Sequence, residues 1–122
     1  MRVLPDIPVF IWSMAVPERL SSSARDVISN ADPEVFVRLV SIWERSIKNG
    51  LGRLDGALWR AVRTSRFERC PLALAHVRCA GTPPMHHKDP FDRMRVAQAL
   101  VERHDFVSRD ALIPRYGIPT IR

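Results

Sequence analysis

Short runs rich in Val, Ile and Phe alternate with stretches of helical period along the chain. This alternation restricts the fold more than any other feature. The strand-like runs are residues 2–12 (RVLPDIPVFIW), 34–37 (EVFV), 67–72, 106–107 and 117–121. Helical stretches lie between them. Residues 20–29 carry a serine N-cap, and in 40–49 the apolar positions are Val40, Trp43 and Ile47, with Gly50 as the residue after the helix. Residues 55–64 place Leu58, Ala61 and Val62 inward, 73–80 are closed by Gly81 and Pro83-Pro84, and 111–115 suit a short helical turn. The clearest start is Asp89-Pro90: Asp89 N-caps, Pro90 suits the first helical position, and an amphipathic run follows to Arg103. Strands that return through helices lie parallel, so the chain reads as an α/β layered domain with a mainly parallel sheet. In the first run Pro5 and Pro8 supply no ladder N–H, which predicts a weakened opening strand with Asp6 inside it.

The 122 residues suit a single domain spanning 1–122. A chain of this size needs no disulfide or structural metal to fold. Cys70 and Cys79 match no zinc spacing and read as free thiols in a reducing compartment. No apolar run approaches about 18 residues, so no membrane span is expected. Asp6 and the two prolines interrupt any signal-peptide core, which makes the cytoplasm the expected location. The net charge is +6, and residues 60–122 account for all of it, with twelve bases against six acids. Seventeen of the nineteen bases are Arg, whose planar fork suits phosphate, so a polyanionic partner such as nucleic acid is favoured. Arg60, Arg63, Arg66 and Arg69 recur every three residues, but the strand signal near Phe67 breaks the stripe. Trp12, Trp43 and Trp59 read as core or interface residues rather than base-stacking platforms.

Sites in open parallel sheets form at the carboxyl ends of strands. Four carboxylates fall at strand ends or helix starts: Asp6, Glu44 directly after Trp43, Asp92 in the first turn of the capped helix, and Asp110 just past a strand. Gathered in one pocket they would raise one another's pKa values, and a divalent cation relieves that repulsion. Hard oxygen ligands suit Mg²⁺ or Mn²⁺, which can hold a phosphate and activate a water. Each acid also has a structural reading. Asp92 suits the helix dipole, Asp110 an N-cap, Glu44 an i,i+4 pair with Lys48, and Asp6 a turn between prolines. Asp89 is assigned to capping, and the adjacent His86 and His87 to surface or loop roles.

His87-Lys88-Asp89-Pro90-Phe91-Asp92-Arg93-Met94, followed by Val96-Ala97-Gln98-Ala99, resembles the HxDPFDRxxxAQA segment of PIN-domain proteins of the VapC toxin type. Ser41-Ile42-Trp43-Glu44 with Ile47-Lys48 and Gly52-Arg53-Leu54 resembles their SxWExxIKxxxGKL segment. Val107-Ser108-Arg109-Asp110 and Tyr116-Gly117-Ile118-Pro119 resemble their closing segment, and Asp6 with Val9-Phe10-Ile11-Trp12 their opening one. The resemblance implies a PIN-like three-layer α/β/α sandwich and an Mg²⁺- or Mn²⁺-dependent endoribonuclease. In this reading Asp6, Glu44, Asp92 and Asp110 are the metal-binding and catalytic acids, with Ser108 and Asp89 in support. It further implies a homodimer held inactive by a small cognate antitoxin. Arg60, Arg63 and Arg93 are the candidate RNA contacts. The sequence departs from the family at Pro5, at Ile7-Pro8 in place of Thr-His, and at Arg95 in place of an apolar residue. The departures open the alternative of a catalytically impaired PIN-like protein that binds RNA or antitoxin without cutting.

Overall fold

Among the described residues, five short strands form one sheet: β1 (Arg2–Pro5), β2 (Glu34–Arg38), β3 (Glu68–Cys70), β4 (Asp105–Val107) and β5 (Thr120–Ile121). Their order is β3-β2-β1-β4-β5, and all neighbouring pairs run parallel. The connections carry helices α1 (Ile7–Ala15), α2 (Ser22–Ser29), α3 (Leu39–Lys48), α4 (Gly56–Thr64), α5 (Leu74–Ala80) and α6 (Pro90–Glu102). The computed structural model describes residues 2–30, 34–48, 56–82 and 86–122. Gly50, the Gly52-Arg53-Leu54 run, Pro83-Pro84 and the side chains of Lys48 and Leu58 lie outside the described residues. No described helix is long and apolar enough to cross a membrane.

Alternation along the strands builds the layers. Val3 and Val107 cluster with Val9, Leu20, Ala24 and Ile28 on the face covered by α1 and α2. Leu4, Phe36 and Phe106 point the other way, into a cluster with Val96 and Ala99 of α6. A third cluster, Ile7, Phe10, Val37, Ile42 and Val62, joins α1, α3 and α4 to the sheet. The result is the three-layer α/β/α sandwich that the sequence implies.

The opening segment corrects the expectation of a strand over 2–12. Only Arg2–Pro5 pairs in the sheet, and Ile7–Ala15 is helical. Asp6 makes the change of direction. Its amide still donates to the Val107 carbonyl (3.1 Å), while its Oδ1 accepts from the Val9 amide (3.2 Å) and caps α1. Pro8 then falls in the first helical turn, where an N–H has no intrahelical partner to lose. Because the Asp6 amide points to β4, the Pro5 nitrogen points toward β2, and pairing with β2 ends at Val3 and Val35 although β2 runs on to Arg38. The expectation is therefore withdrawn for Pro8, whereas at Pro5 the missing N–H falls where the β1–β2 ladder stops.

Two smaller corrections concern α3 and the C-terminus. α3 starts at Leu39 with no connecting residue after β2, and it buries Val40, Ser41 and Ile42. Trp43 and Ile47, expected on the inner face, are 59% and 50% exposed, and Trp43 meets the edge of Phe91 at 5.2 Å between ring centroids. Trp59 is also half exposed, so of the three tryptophans only Trp12 packs against a core cluster. The last strand begins at Thr120 rather than residue 117, because Gly117 at φ 76° closes a 3-10 turn over Ile113–Tyr116. Cys70 is buried and Cys79 half-buried, and both are free thiols.

His104, in the turn between α6 and β4, yields a pH prediction. It is buried, stacks on Phe36 (4.5 Å), and neither ring nitrogen has a partner among the described residues. Burial, then the nearby Arg2 guanidinium, push its pKa down to about 4. The unfolded chain binds this proton near pH 6.5 and the folded protein does not. The stability is therefore fully present above pH 6.5 and is lost as the pH falls toward about 4, by on the order of 3 kcal/mol. Urea midpoints measured across this window check it. His104→Phe, which keeps the stack, is expected to flatten the slope, and an unchanged slope would place the acid sensitivity elsewhere.

Candidate active site

From β1 the chain winds outward through β2 and β3, then returns to place β4 and β5 on the other side. The crevice between the carboxyl ends of β1 and β4 is the switch point where doubly wound sheets hold ligands. Asp6 follows β1 directly, and Ser108 and Asp110 follow β4. Asp6 Oδ2 accepts from the buried Ser108 hydroxyl (2.7 Å), and that oxygen in turn accepts from the Asp110 amide (3.1 Å). Ser108 thus supplies the hydroxyl beside Asp6, while Ile7 turns into the core with Phe10 and Val37. Asp92 stands in the first turn of α6, which Asp89 caps by accepting from the Phe91 and Asp92 amides (2.8 and 3.2 Å). Glu44 projects from α3. A cleft of about 230 Å³ is lined by Asp6, Ile7, Pro8, Ser41, Glu44, Arg45, Asp92 and Arg95. Three of the four acids singled out in the sequence line it, and the fourth, Asp110, reaches them through Arg95.

Asp110 is the most tightly held acid. Its Oδ1 accepts from the Leu112 amide (2.9 Å), and its Oδ2 meets His87 Nε2 (2.8 Å) and Arg95 Nη2 (2.9 Å). Burial pushes this carboxyl up, but the Leu112 amide, His87 and Arg95 outweigh it and hold Asp110 below the usual carboxylate value. His87 lies in the loop before α6, as expected, but it is buried rather than at the surface. The Tyr116 hydroxyl accepts from the His87 amide and lies 2.9 Å from Nδ1. Because Nε2 faces a carboxylate oxygen it carries the donor hydrogen, and in the neutral imidazole Nδ1 then accepts from the tyrosine hydroxyl. Asp92 keeps the helix-start position of its structural reading, Asp6 caps α1 instead of only marking a turn, and Asp110 accepts from the Leu112 amide ahead of the 3-10 turn without capping it; these positions turn all three toward one crevice.

Behind the cleft, Arg38 is buried at the end of β2, with Nε donating to Gln98 Oε1. Burial, then the charge of Arg95, lower its pKa to about 9. Arg60 and Arg63 are exposed on α4, away from the cleft lining. Arg93 donates to the Ala80 carbonyl (3.2 Å) at the end of α5. α4 ends at Thr64, so the arginine stripe breaks as expected, and Arg66 instead donates to the Ile28 carbonyl (2.8 Å). Arg45, His87 and Arg95 are site residues that were not singled out as such. The histidine position of the HxDPFD segment was the available signal for His87, and the departure from an apolar residue was the signal for Arg95.

Arg95 also tests whether a metal suits this site. It stands one turn after Asp92, with Nη2 2.9 Å from Asp110 Oδ2 and 3.1 Å from Asp92 Oδ1, and Nη1 3.9 Å from Asp6 Oδ2. A cation already sits where three carboxylates converge, and hard oxygen donors are the ligands Mg²⁺ and Mn²⁺ take. The residues fit such an ion in charge and donor type. Among the described residues, no three Asp, Glu, His or Cys side chains are close enough to share a metal.

No protein-family model and no curated protein sequence matches the chain. Among solved structures, it is similar to a chain of the crystal structure of VapBC2 from Rickettsia felis bound to a DNA fragment from their promoter. The TM-score is 0.70 at 9% identity, over 98% of this chain and 97% of that one. At that identity the likeness establishes the fold, and it is the PIN-like fold that the sequence motifs imply.

Proposed function

We propose that this chain is a toxin-type endoribonuclease of a toxin–antitoxin pair, with Asp6, Glu44, Asp92 and Asp110 as its catalytic centre. The observation that carries the reading is the convergence of carboxylates from β1, α3, α6 and β4 on one crevice at the switch point of the sheet. Mg²⁺ or Mn²⁺, held by Asp6, Asp92 and Asp110, would supply Lewis acidity and an activated water for attack on phosphorus. The chain's own residues prepare that chemistry. Ser108 fixes the orientation of Asp6, and the Tyr116–His87 relay fixes Asp110. Glu44, on the α3 wall of the cleft, would serve as the proton acceptor for such a water. Arg45 on the same wall offers positive charge to the RNA backbone, with the basic second half of the chain behind it. A small antitoxin is the proposed protein partner, and the exposed Trp43 and Trp59 give it apolar surface. The proposed working unit is a cytoplasmic homodimer.

Arg95 favours a second reading, the catalytically impaired protein that binds RNA or antitoxin without cutting. Cleavage of RNA in Mn²⁺ and in EDTA, by the native chain and by Asp92→Asn, separates the two. The expected result is metal-dependent cleavage that falls by at least about 10²-fold in the folded variant. RNA binding without cleavage at any Mn²⁺ concentration would select the second reading.

A further inference from the structure

We infer that Arg95 is a tethered counter-ion of the acidic crevice: its guanidinium holds the position where Asp6, Asp92 and Asp110 converge, and a divalent cation enters only when Arg95 leaves. The inference rests on reading the crevice as a metal-dependent centre, and it adds the residue that sets how readily the metal binds.

Three observations carry it. The first is geometric. A single nitrogen, Nη2, bridges Asp92 and Asp110 at 3.1 and 2.9 Å, and Nη1 faces Asp6 at 3.9 Å. An ion bound by these carboxylates and the Arg95 guanidinium therefore compete for one space. The second is the incomplete fit of Arg95 to its surroundings. Its side chain is only 14% exposed, and its Nε is buried without a partner among the described residues. The third is the floor beneath it. The guanidinium lies over the Phe106 ring at 5.5 Å, a seat that holds a cation by its π face.

Charge decides the direction of the competition. Arg95 brings one positive charge to three carboxylates, and Glu44 adds a fourth along the cleft. A divalent ion neutralises more of that charge, but it arrives from solution, whereas the guanidinium is already attached to α6. The buried Arg38 opposes Arg95 from behind the cleft. The apparent affinity for metal is reduced by the fraction of time that Arg95 is withdrawn. If that fraction is about a tenth or less, the native chain binds metal about tenfold more weakly, or worse, than a chain lacking the guanidinium.

The test is Mn²⁺ binding by titration calorimetry, with thermal melting in EDTA and in Mn²⁺, on the native chain, Arg95→Met and Arg95→Gln. Near-UV circular dichroism reports folding, and Arg95→Gln keeps hydrogen-bond donors where Arg95→Met removes them. A second measurement uses the native chain alone: Mg²⁺ titration followed on the arginine Nε resonances. The expected result is at least tenfold tighter Mn²⁺ binding by the variants, lower melting in EDTA, a larger rise in melting temperature with Mn²⁺, and one arginine Nε resonance of the native chain shifting as Mg²⁺ binds. Equal Mn²⁺ affinity in native and variant chains, with no arginine shift, overturns the role of Arg95 and leaves the metal-centre reading standing. Folded variants that bind no Mn²⁺ overturn both.

Discussion

Asp6→Ala is expected to lower stability by about 2–4 kcal/mol and abolish cleavage, whereas Asp6→Asn keeps the fold and still loses cleavage. The two substitutions separate two jobs held by one side chain. Asp6 Oδ1 caps α1 through the Val9 amide, and loss of an N-cap costs about 1 kcal/mol. Oδ2 accepts from Ser108, a side chain with 1% exposure, and a buried hydroxyl left without an acceptor costs about 1–3 kcal/mol more. Alanine removes both interactions. Asparagine is as good a cap as aspartate and keeps an amide beside Ser108, so its cost is about 1 kcal/mol or less. It lacks the negative charge that a cation or Arg95 requires. Thermal melting beside RNA cleavage in Mn²⁺ reads both effects. An Asp6→Asn chain that cleaves as the native one does would remove Asp6 from the centre and leave it as a cap alone.

The same double duty explains what the sequence reveals. Asp89-Pro90 is legible because a cap and a helix-compatible proline are local chemistry, and α6 starts there. Asp6 and Asp92 are legible because one breaks an apolar run and the other opens a helix, and the parallel alternation says where such positions meet. The segment 7–15 is not legible by period. Ile7-Pro8-Val9-Phe10-Ile11-Trp12 is apolar at every position, so neither a two-residue nor a 3.6-residue repeat stands out. The capping bond from Asp6 settles it as a helix. The buried face of α3 is set by the direct step from Arg38 to Leu39, which no hydrophobic pattern encodes. His87 and Arg95 act through partners 23 and 15 residues away, and contacts of that range belong to tertiary structure.

Phe106 links the core to the crevice, and its substitution is the largest stability change expected. The ring has 0% exposure and stands in register with Leu4 of β1 and Thr120 of β5. It belongs to the cluster containing Phe36, Val96, Ala99 and Ile113. Phe106→Ala removes most of that volume from the middle of the sheet and is expected to cost about 3–5 kcal/mol. Against a total of about 5–15 kcal/mol for a domain of ordinary stability, that is enough to leave the chain partly unfolded at moderate temperature. Phe106→Leu keeps most of the apolar volume, so about 1.5 kcal/mol or less is expected. It also removes the ring face beneath the Arg95 guanidinium, an interaction worth about 0.5–2 kcal/mol. The leucine variant should therefore remain folded while its Mn²⁺ affinity moves toward that of Arg95→Met. Urea unfolding of both variants, with Mn²⁺ titration of the leucine one, tests the coupling. Unchanged Mn²⁺ affinity in Phe106→Leu would mean that Asp92 and Asp110 hold the guanidinium without help from the ring below.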